Sequence, residues 1–199
     1  MTIDVGTGDG RAVLAAAAFD PRTLAIGMDA NAAAMAEVSR RAAKPSRKGG
    51  TPNAAFIRAA AEAPPAVLAG IASQVSVLFP WGLLLRGCLG ADPAVAAGVA
   101  GLVTPGGSLD LLLAPSAKDG LDGLPIDPAR VVDAAASAFA EFGLELVEGR
   151  LAAPGEVRAS GSTWARRLGT APAAAGGIRP ASTPERAVTL VGLVRAGHR

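Results

Sequence analysis

Short apolar runs alternate with alanine-rich stretches of helical period along most of this chain, and that alternation predicts a parallel α/β sheet rather than a set of hairpins. TIDV, at Thr2–Val5, reads as a buried strand, GTGDG as a glycine turn, and RAVLAAAAF as the helix that follows. LAIGMDA supplies a second strand ending in an acid, and AAAMAEVSRRAA a second helix. The polar stretch KPSRKGGTPN is loop chemistry, AAFIRA a third strand, and QVSVLF a fourth that stops at Pro80. DPAVAAGVAGLV opens on an Asp-Pro helix start, TPGGS is a turn and LDLLLA a fifth strand. In IDPARVVDAAASAFAEFG, Asp127 is placed to N-cap a helix, with Pro128 in its first position and Gly143 closing it. LELVEGRLA and AVTLVGLVRA are the last two strands. Between them runs a polar, Gly/Pro-rich segment, 154–184, read as one long loop and holding the stretch GSTWARRLG.

Strands that alternate with helices until the last two come in succession describe a doubly wound, Rossmann-like α/β fold. The expected sheet has seven strands and is mostly parallel, with helices on both faces and the last strand antiparallel. A chain of 199 residues is long enough for one core and short for two, so a single domain is expected. Ligands of such folds sit at the carboxyl ends of the strands. Asp4 to Gly10, Asp29, the Phe79-Pro80-Trp81 turn and the surroundings of Trp164 are expected to converge there.

Composition narrows the chemistry. Half of the residues are hydrophobic, which excludes general disorder. The net charge is only +2, yet Arg40, Arg41, Lys44, Arg47 and Lys48 stand together in RRAAKPSRKGG without an acid. Arg86 follows the first tryptophan, and Arg166, Arg167, Arg179 and Arg186 fall in or near the last long loop. Charge runs are usually solvated surface, but a set flanking a crevice points to a phosphate-rich partner. With one cysteine, Cys88, no internal disulfide or thiolate metal cluster can form, which suits a reducing cytoplasm. Asp4 and Asp9 interrupt any signal-peptide pattern, and no apolar stretch has the length of a membrane span. The only histidine is His198, so a Ser-His-Asp triad, His-dependent acid/base catalysis and a His-ligated metal all lack support.

Two motifs remain. In DVGTGDG, Asp4, Gly6, Gly8 and Gly10 combine a tight turn with an acid, and Asp29 ends the next strand in position to accept hydrogen bonds from a ribose. The spacing is not the dinucleotide fingerprint, and an acid two residues before the first glycine suits a cationic ligand better than a pyrophosphate. S-adenosylmethionine, with its ammonium and sulfonium, is such a ligand, and Glu62, after the third strand, is placed to meet its adenine edge. The plain packing reading is a βα turn that closes a loop. The second motif is the pair of tryptophans, Trp81 after a strand-end proline and Trp164 in a polar stretch. Both are poorly placed for core packing and well suited to stacking on a base. Methylation of an already nucleophilic ring nitrogen needs little side-chain proton transfer, in keeping with the missing histidines.

DVGTGDG, GMDAN, RRAAKPSRKGGTPNAAFIRAAAEAPP, LFPWGLLLRGCLG and STWARRL, in that order, resemble the aminoglycoside-resistance 16S ribosomal RNA methyltransferases that modify N1 of adenine 1408 in the decoding site. The resemblance implies one S-adenosylmethionine-dependent class I methyltransferase domain over 1–199, acting as a monomer on assembled small ribosomal subunits, with no metal and no membrane. It implies that Trp81 and Trp164 sandwich a flipped-out adenine and that Ser162 shapes the substrate pocket. For the cofactor it implies Asp4, Gly6, Thr7 and Gly8 at the methionine end, Asp29 and Ala30 by the ribose, and Ala61 and Glu62 by the adenine, with Leu78 and Thr163 completing the set. Arg40, Arg41, Lys44, Arg47, Lys48, Arg86, Arg166 and Arg167 would hold RNA phosphates. Family members carry an extension, typically a hairpin, before the glycine motif; here Asp4 stands near the start, and the first strand is expected to have barely room to form. Two rival readings use the same residues: a small-molecule methyltransferase whose tryptophans line an apolar pocket, and a catalytically inactive RNA-binding protein of the same fold.

Overall fold

The computed structural model describes residues 1–120, 123–167 and 187–197. Among these residues, seven strands form one sheet in the order β3-β2-β1-β4-β5-β7-β6. β1 (Thr2–Val5), β2 (Ala25–Asp29), β3 (Ala54–Arg58), β4 (Ala72–Leu78) and β5 (Val103–Leu113) run parallel. β7 (Thr189–Arg195) enters antiparallel between β5 and β6 (Leu144–Leu151). β1 does have room: it pairs with β2 from Thr2 to Val5 and with β4 from Thr2 to Asp4.

Side-chain alternation separates the two faces. Ile3, Val5, Ile26, Met28, Val75 and Val77 belong to the large core, which also takes in residues of α3 (Gly82–Cys88), α4 (Pro93–Leu102) and α5 (Pro128–Ala140). Ala25, one residue from Ile26, points the other way and packs with Val13 and Ala17 of α1 (Arg11–Phe19). α2 (Ala32–Ala42) joins this face through Met35 and Val38. Helix starts follow local chemistry: Asn31, Asp92 and Asp127 each accept backbone N–H bonds at the head of α2, α4 and α5. The buried positions of α5, Val131, Ala135, Ala138 and Phe139, recur at helical spacing.

The structure departs from the sequence pattern in three places. TPGGS is not a simple turn before β5, because the strand already begins at Val103. Ala72 pairs with Val103 and Gln74 with Ser108, so the intervening residues bulge out of register. α5 ends at Ala140 with Glu141 still helical, and Gly143 turns the chain beyond that end rather than capping it. The segment expected as a loop from 154 onward contains two helices, α6 (Pro154–Ala159) and α7 (Thr163–Arg167). Among the described residues no single helix is long and apolar enough to cross a membrane.

Candidate active site

The carboxyl ends of β1, β2 and β4 border a cleft of about 650 Å³. Asp4, Gly6, Thr7, Gly8, Asp29, Ala30, Ala61, Glu62 and Leu78 line it, as do Trp81, Ser162, Thr163 and Trp164. The structure therefore brings every residue assigned above to the cofactor or to the stacked base into one space, although they come from five separate regions of the chain.

The glycine turn is shaped by the strands beneath it. The N–H groups of Gly6 and Thr7 both donate to the Met28 carbonyl (2.8 and 3.2 Å), and the Gly8 N–H donates to Asp29 Oδ2 (2.8 Å). Gly6 has φ +73°, where any other side chain would strain the backbone, and a Cβ there would also push Leu84 of α3 aside. Asp29 Oδ1 accepts the Asn31 N–H (2.8 Å); each of its oxygens keeps a second lone pair for a hydroxyl.

Asp4 is only 8% exposed, and Ser76 Oγ donates to its Oδ1 (2.8 Å). Burial pushes its carboxyl up to about 6, with the Asp29 charge adding to the rise, while the Thr7 and Ser76 hydroxyls pull the other way. Thr7 lies near enough to act on that carboxyl, yet its buried Oγ1 makes no hydrogen bond among the described residues. A buried carboxyl short of positive charge and a glycine cradle beside Asp29 fit a ligand with a cationic end and a ribose.

The Trp81 turn is built on an unusual backbone. Phe79 has φ +53° and is the only non-glycine residue among those described with positive φ. Its N–H still donates to the Leu112 carbonyl (2.8 Å), holding it to β5 as the chain swings out of β4. The buried Pro80 follows, and Trp81 stands 77% exposed at the head of α3. Phe79 is itself buried, in a cluster with Leu112, Ala114, Val157 of α6 and Ala165 of α7. Trp164, 41% exposed, sits beside Ala165, and its backbone N–H donates to Ser162 Oγ (3.2 Å), which caps the helix. α6 is fastened to β6 by Arg150, whose guanidinium donates to both Glu156 oxygens (2.6 and 2.7 Å) and to Glu148 (2.7 Å). That fork, with the Ala153 N–H, holds the Glu156 carboxyl down to about 2.

The basic residues are elsewhere. Arg40 and Arg41 end α2, and Lys44, Arg47 and Lys48 follow them; all are exposed and none forms an ion pair among the described residues. α2 starts beside the cleft and runs toward the amino end of β3, so this patch lies at the opposite edge of the sheet and does not flank the cleft, as the sequence had suggested. Arg86 is half-buried on α3 and does not line the cleft. Arg166 and Arg167 continue α7, but their side chains, like Arg179, Arg186 and His198, lie outside the described set. Cys88 is buried at the end of α3, where burial pushes its thiol up to about 12. Among the described residues no three His, Cys, Asp or Glu side chains gather as a metal site.

Sequence reasoning missed Ser76 altogether, and it placed Phe79 and Asp9 near the cleft without showing what they do there. Ser76 is invisible without the strand register that sets it opposite Asp4. Phe79 precedes a proline, which favours extended backbone and gives no hint of a left-handed turn. Asp9 lies inside the glycine motif, yet its partner, Thr163, is 154 residues away (2.6 Å).

A family model described as "NpmA: 16S rRNA (adenine(1408)-N(1))-methyltransferase" matches residues 1–176. A 16S rRNA (adenine(1408)-N(1))-methyltransferase of Streptoalloteichus tenebrarius is 35% identical over 173 residues, covering 84% of this chain and 80% of the relative. The crystal structure of a tryptophan-to-alanine mutant of the 16S rRNA (adenine(1408)-N(1))-methyltransferase from Catenulisporales acidiphilia, with cosubstrate SAM, superposes with TM-score 0.80 at 30% identity, covering 100% of this chain and 86% of that one. The 16S rRNA methyltransferase KamB gives TM-score 0.81 at 32% identity, covering 98% of this chain and 87% of that one. The chain belongs to the 16S rRNA (adenine(1408)-N(1))-methyltransferase family, on a class I methyltransferase fold.

Proposed function

We propose that this protein transfers a methyl group from S-adenosylmethionine to N1 of adenine 1408 in the 16S rRNA of the small ribosomal subunit, and thereby confers aminoglycoside resistance. The observation that carries the reading is the cleft itself, in which an acid-and-glycine cradle and two accessible tryptophans share one space. S-adenosylmethionine, when bound, supplies a methyl group activated on a sulfonium.

The chain's own residues hold and orient. Asp4 meets the cationic methionine end, with Gly6, Thr7 and Gly8 giving backbone access; Asp29 and Ala30 receive the ribose, and Ala61, Glu62 and Leu78 the adenine. Trp81 and Trp164 take a base extruded from the RNA between their rings, while Ser162 and Thr163 shape the pocket's edge. No general base is required, because the N1 lone pair of adenine is free in the neutral ring and need only be held in line. Arg40, Arg41, Lys44, Arg47, Lys48, Arg86, Arg166 and Arg167 contact phosphates. For the α2 patch, this requires a substrate wide enough to reach from the cleft to the far edge of the sheet, roughly the 16 Å length of an eleven-residue helix. A ribosomal subunit is that wide; a small molecule is not. The enzyme works as a monomer in the cytoplasm, where its substrate is.

Incubation with small subunits and S-adenosylmethionine, followed by reverse transcription across the decoding site, tests the reaction, since N1-methylation blocks the Watson-Crick edge. A new cofactor-dependent stop at that adenine is expected; no stop in a sample that binds the cofactor would reject the substrate assignment. Trp81→Ala and Trp164→Ala should each lower the stop while leaving cofactor affinity nearly unchanged, and full turnover in either would remove the sandwich.

A further inference from the structure

The helix that presents Trp164 is not carried by its neighbours in sequence alone. Thr163 Oγ1, the residue before it, donates to Asp9 Oδ2 at 2.6 Å. Asp9 lies between Gly8, whose N–H is held by Asp29, and Gly10, which heads α1; its carboxylate also accepts the Arg11 N–H (3.3 Å) and lies 3.4 Å from Arg11 Nε. A second contact lies two residues upstream. Gly161 has φ +70°, and a Cβ there would stand 3.3 Å from Ala12 Cα and Ala15 Cβ, so the chain entering α7 rests directly on the first turns of α1. From below, Ala165 packs in the Phe79 cluster. The helix is thus pinned to the cofactor turn on one side and to the base of the Trp81 turn on the other.

We infer that Asp9 is a positioning residue that latches the Trp164 helix to the cofactor-binding turn through Thr163, so that filling the cofactor site and ordering the base-stacking tryptophan are coupled events. The inference rests on the stacking role proposed for Trp164. A ligand held by Gly6, Gly8 and Asp29 restrains the turn on which Asp9 sits; the restraint passes through one short hydrogen bond to Thr163. By reciprocity, a bound base that fixes Trp164 must tighten cofactor binding by the same factor. A carboxylate is suited to the task, because an ionised acceptor makes a stronger bond to a hydroxyl than a neutral one.

The chain has two tryptophans, so in a Trp81→Phe background Trp164 alone fluoresces. Acrylamide quenching of that protein, with and without S-adenosylhomocysteine, reads the latch directly. With Asp9 intact, the cofactor product should protect Trp164; with Asp9→Ala or Thr163→Val added, the protection should vanish while the product still binds, and Thr163→Ser should restore it. In the chain with both tryptophans, Asp9→Ala and Thr163→Val should each lower kcat/KM for small subunits by about tenfold and together do no more than either alone, with Asp9→Ala changing cofactor Kd little. Additive losses, or protection that survives Asp9→Ala, would overturn the latch. Trp164→Ala separates the two claims. If it methylates normally, the stacking role fails; if it is inactive while both latch variants are normal, only the latch fails.

Discussion

At the scale of single residues, the site depends on charges and conformations that cost stability on their own. The Asp4 carboxyl is raised from 3.8 to about 6, so between those values the folded protein binds a proton that the unfolded chain does not. Stability from this group therefore falls as pH rises through that window and stays lost above it, by roughly 3 kcal/mol. Denaturant midpoints of the ligand-free protein should fall from pH 5 to pH 7, and Asp4→Asn should flatten that part of the profile. Cofactor affinity should move the opposite way, weakening as pH drops below about 6 and the carboxylate that faces the cation is protonated. Calorimetric titration from pH 5 to 8 checks this; an affinity independent of pH would remove Asp4 from the cationic end. The acid two places before the first glycine was legible in the sequence, but its burial and its bond to Ser76 were not, because both arise from the neighbouring strand.

At the scale of elements, the Trp81 turn joins two parts of the molecule. Phe79 tolerates φ +53° because its ring is buried against α6, α7 and β5 and its N–H is held by Leu112. This predicts an inverted order between two truncations. Phe79→Ala and Phe79→Gly both lose the buried ring, at about 3 kcal/mol or more. Alanine, however, retains a left-handed strain of about 1–2 kcal/mol, whereas glycine exchanges it for about 0.5–1 kcal/mol of chain entropy. Urea unfolding should therefore find Phe79→Gly no less stable than Phe79→Ala, against the usual ranking; a clearly weaker glycine variant would show that the ring, not the turn, dictates the backbone. The sequence marked this place through its proline and tryptophan, but a residue before proline reads as extended. Likewise α6 and α7 are too short to leave a helical period, and they are held by tertiary contacts, the Arg150–Glu156 fork and the Phe79 cluster, that sequence pattern does not reveal.

At the scale of the whole molecule, the net charge of +2 is too small to draw RNA by a general field, so the RNA contact proposed above makes the patch at the end of α2 a local source of attraction to test. Removing Lys44, Arg47 and Lys48 together should reduce the dependence of subunit affinity on log salt concentration by about one unit per cation that contacts phosphate, with cofactor binding unchanged. A filter-binding series across salt concentrations measures it, and an unaltered slope would return the patch to solvated surface. By itself the sequence determined the alternation of strands and helices, the antiparallel finish, the aspartate starts of α4 and α5, and the convergence of the glycine turn, Asp29 and the two tryptophans on one cleft. These follow from hydrophobic period, turn chemistry and the rule that parallel strands deliver their carboxyl ends to one edge. Only the tertiary structure decided that the basic patch lies at the opposite edge from the cleft, that 154–167 folds into two helices, that Phe79 turns left-handed and that Asp9 meets Thr163. The first follows from the direction in which α2 returns along the sheet; the others are set by contacts between residues far apart in the chain, and no local propensity encodes which distant partner a side chain will find.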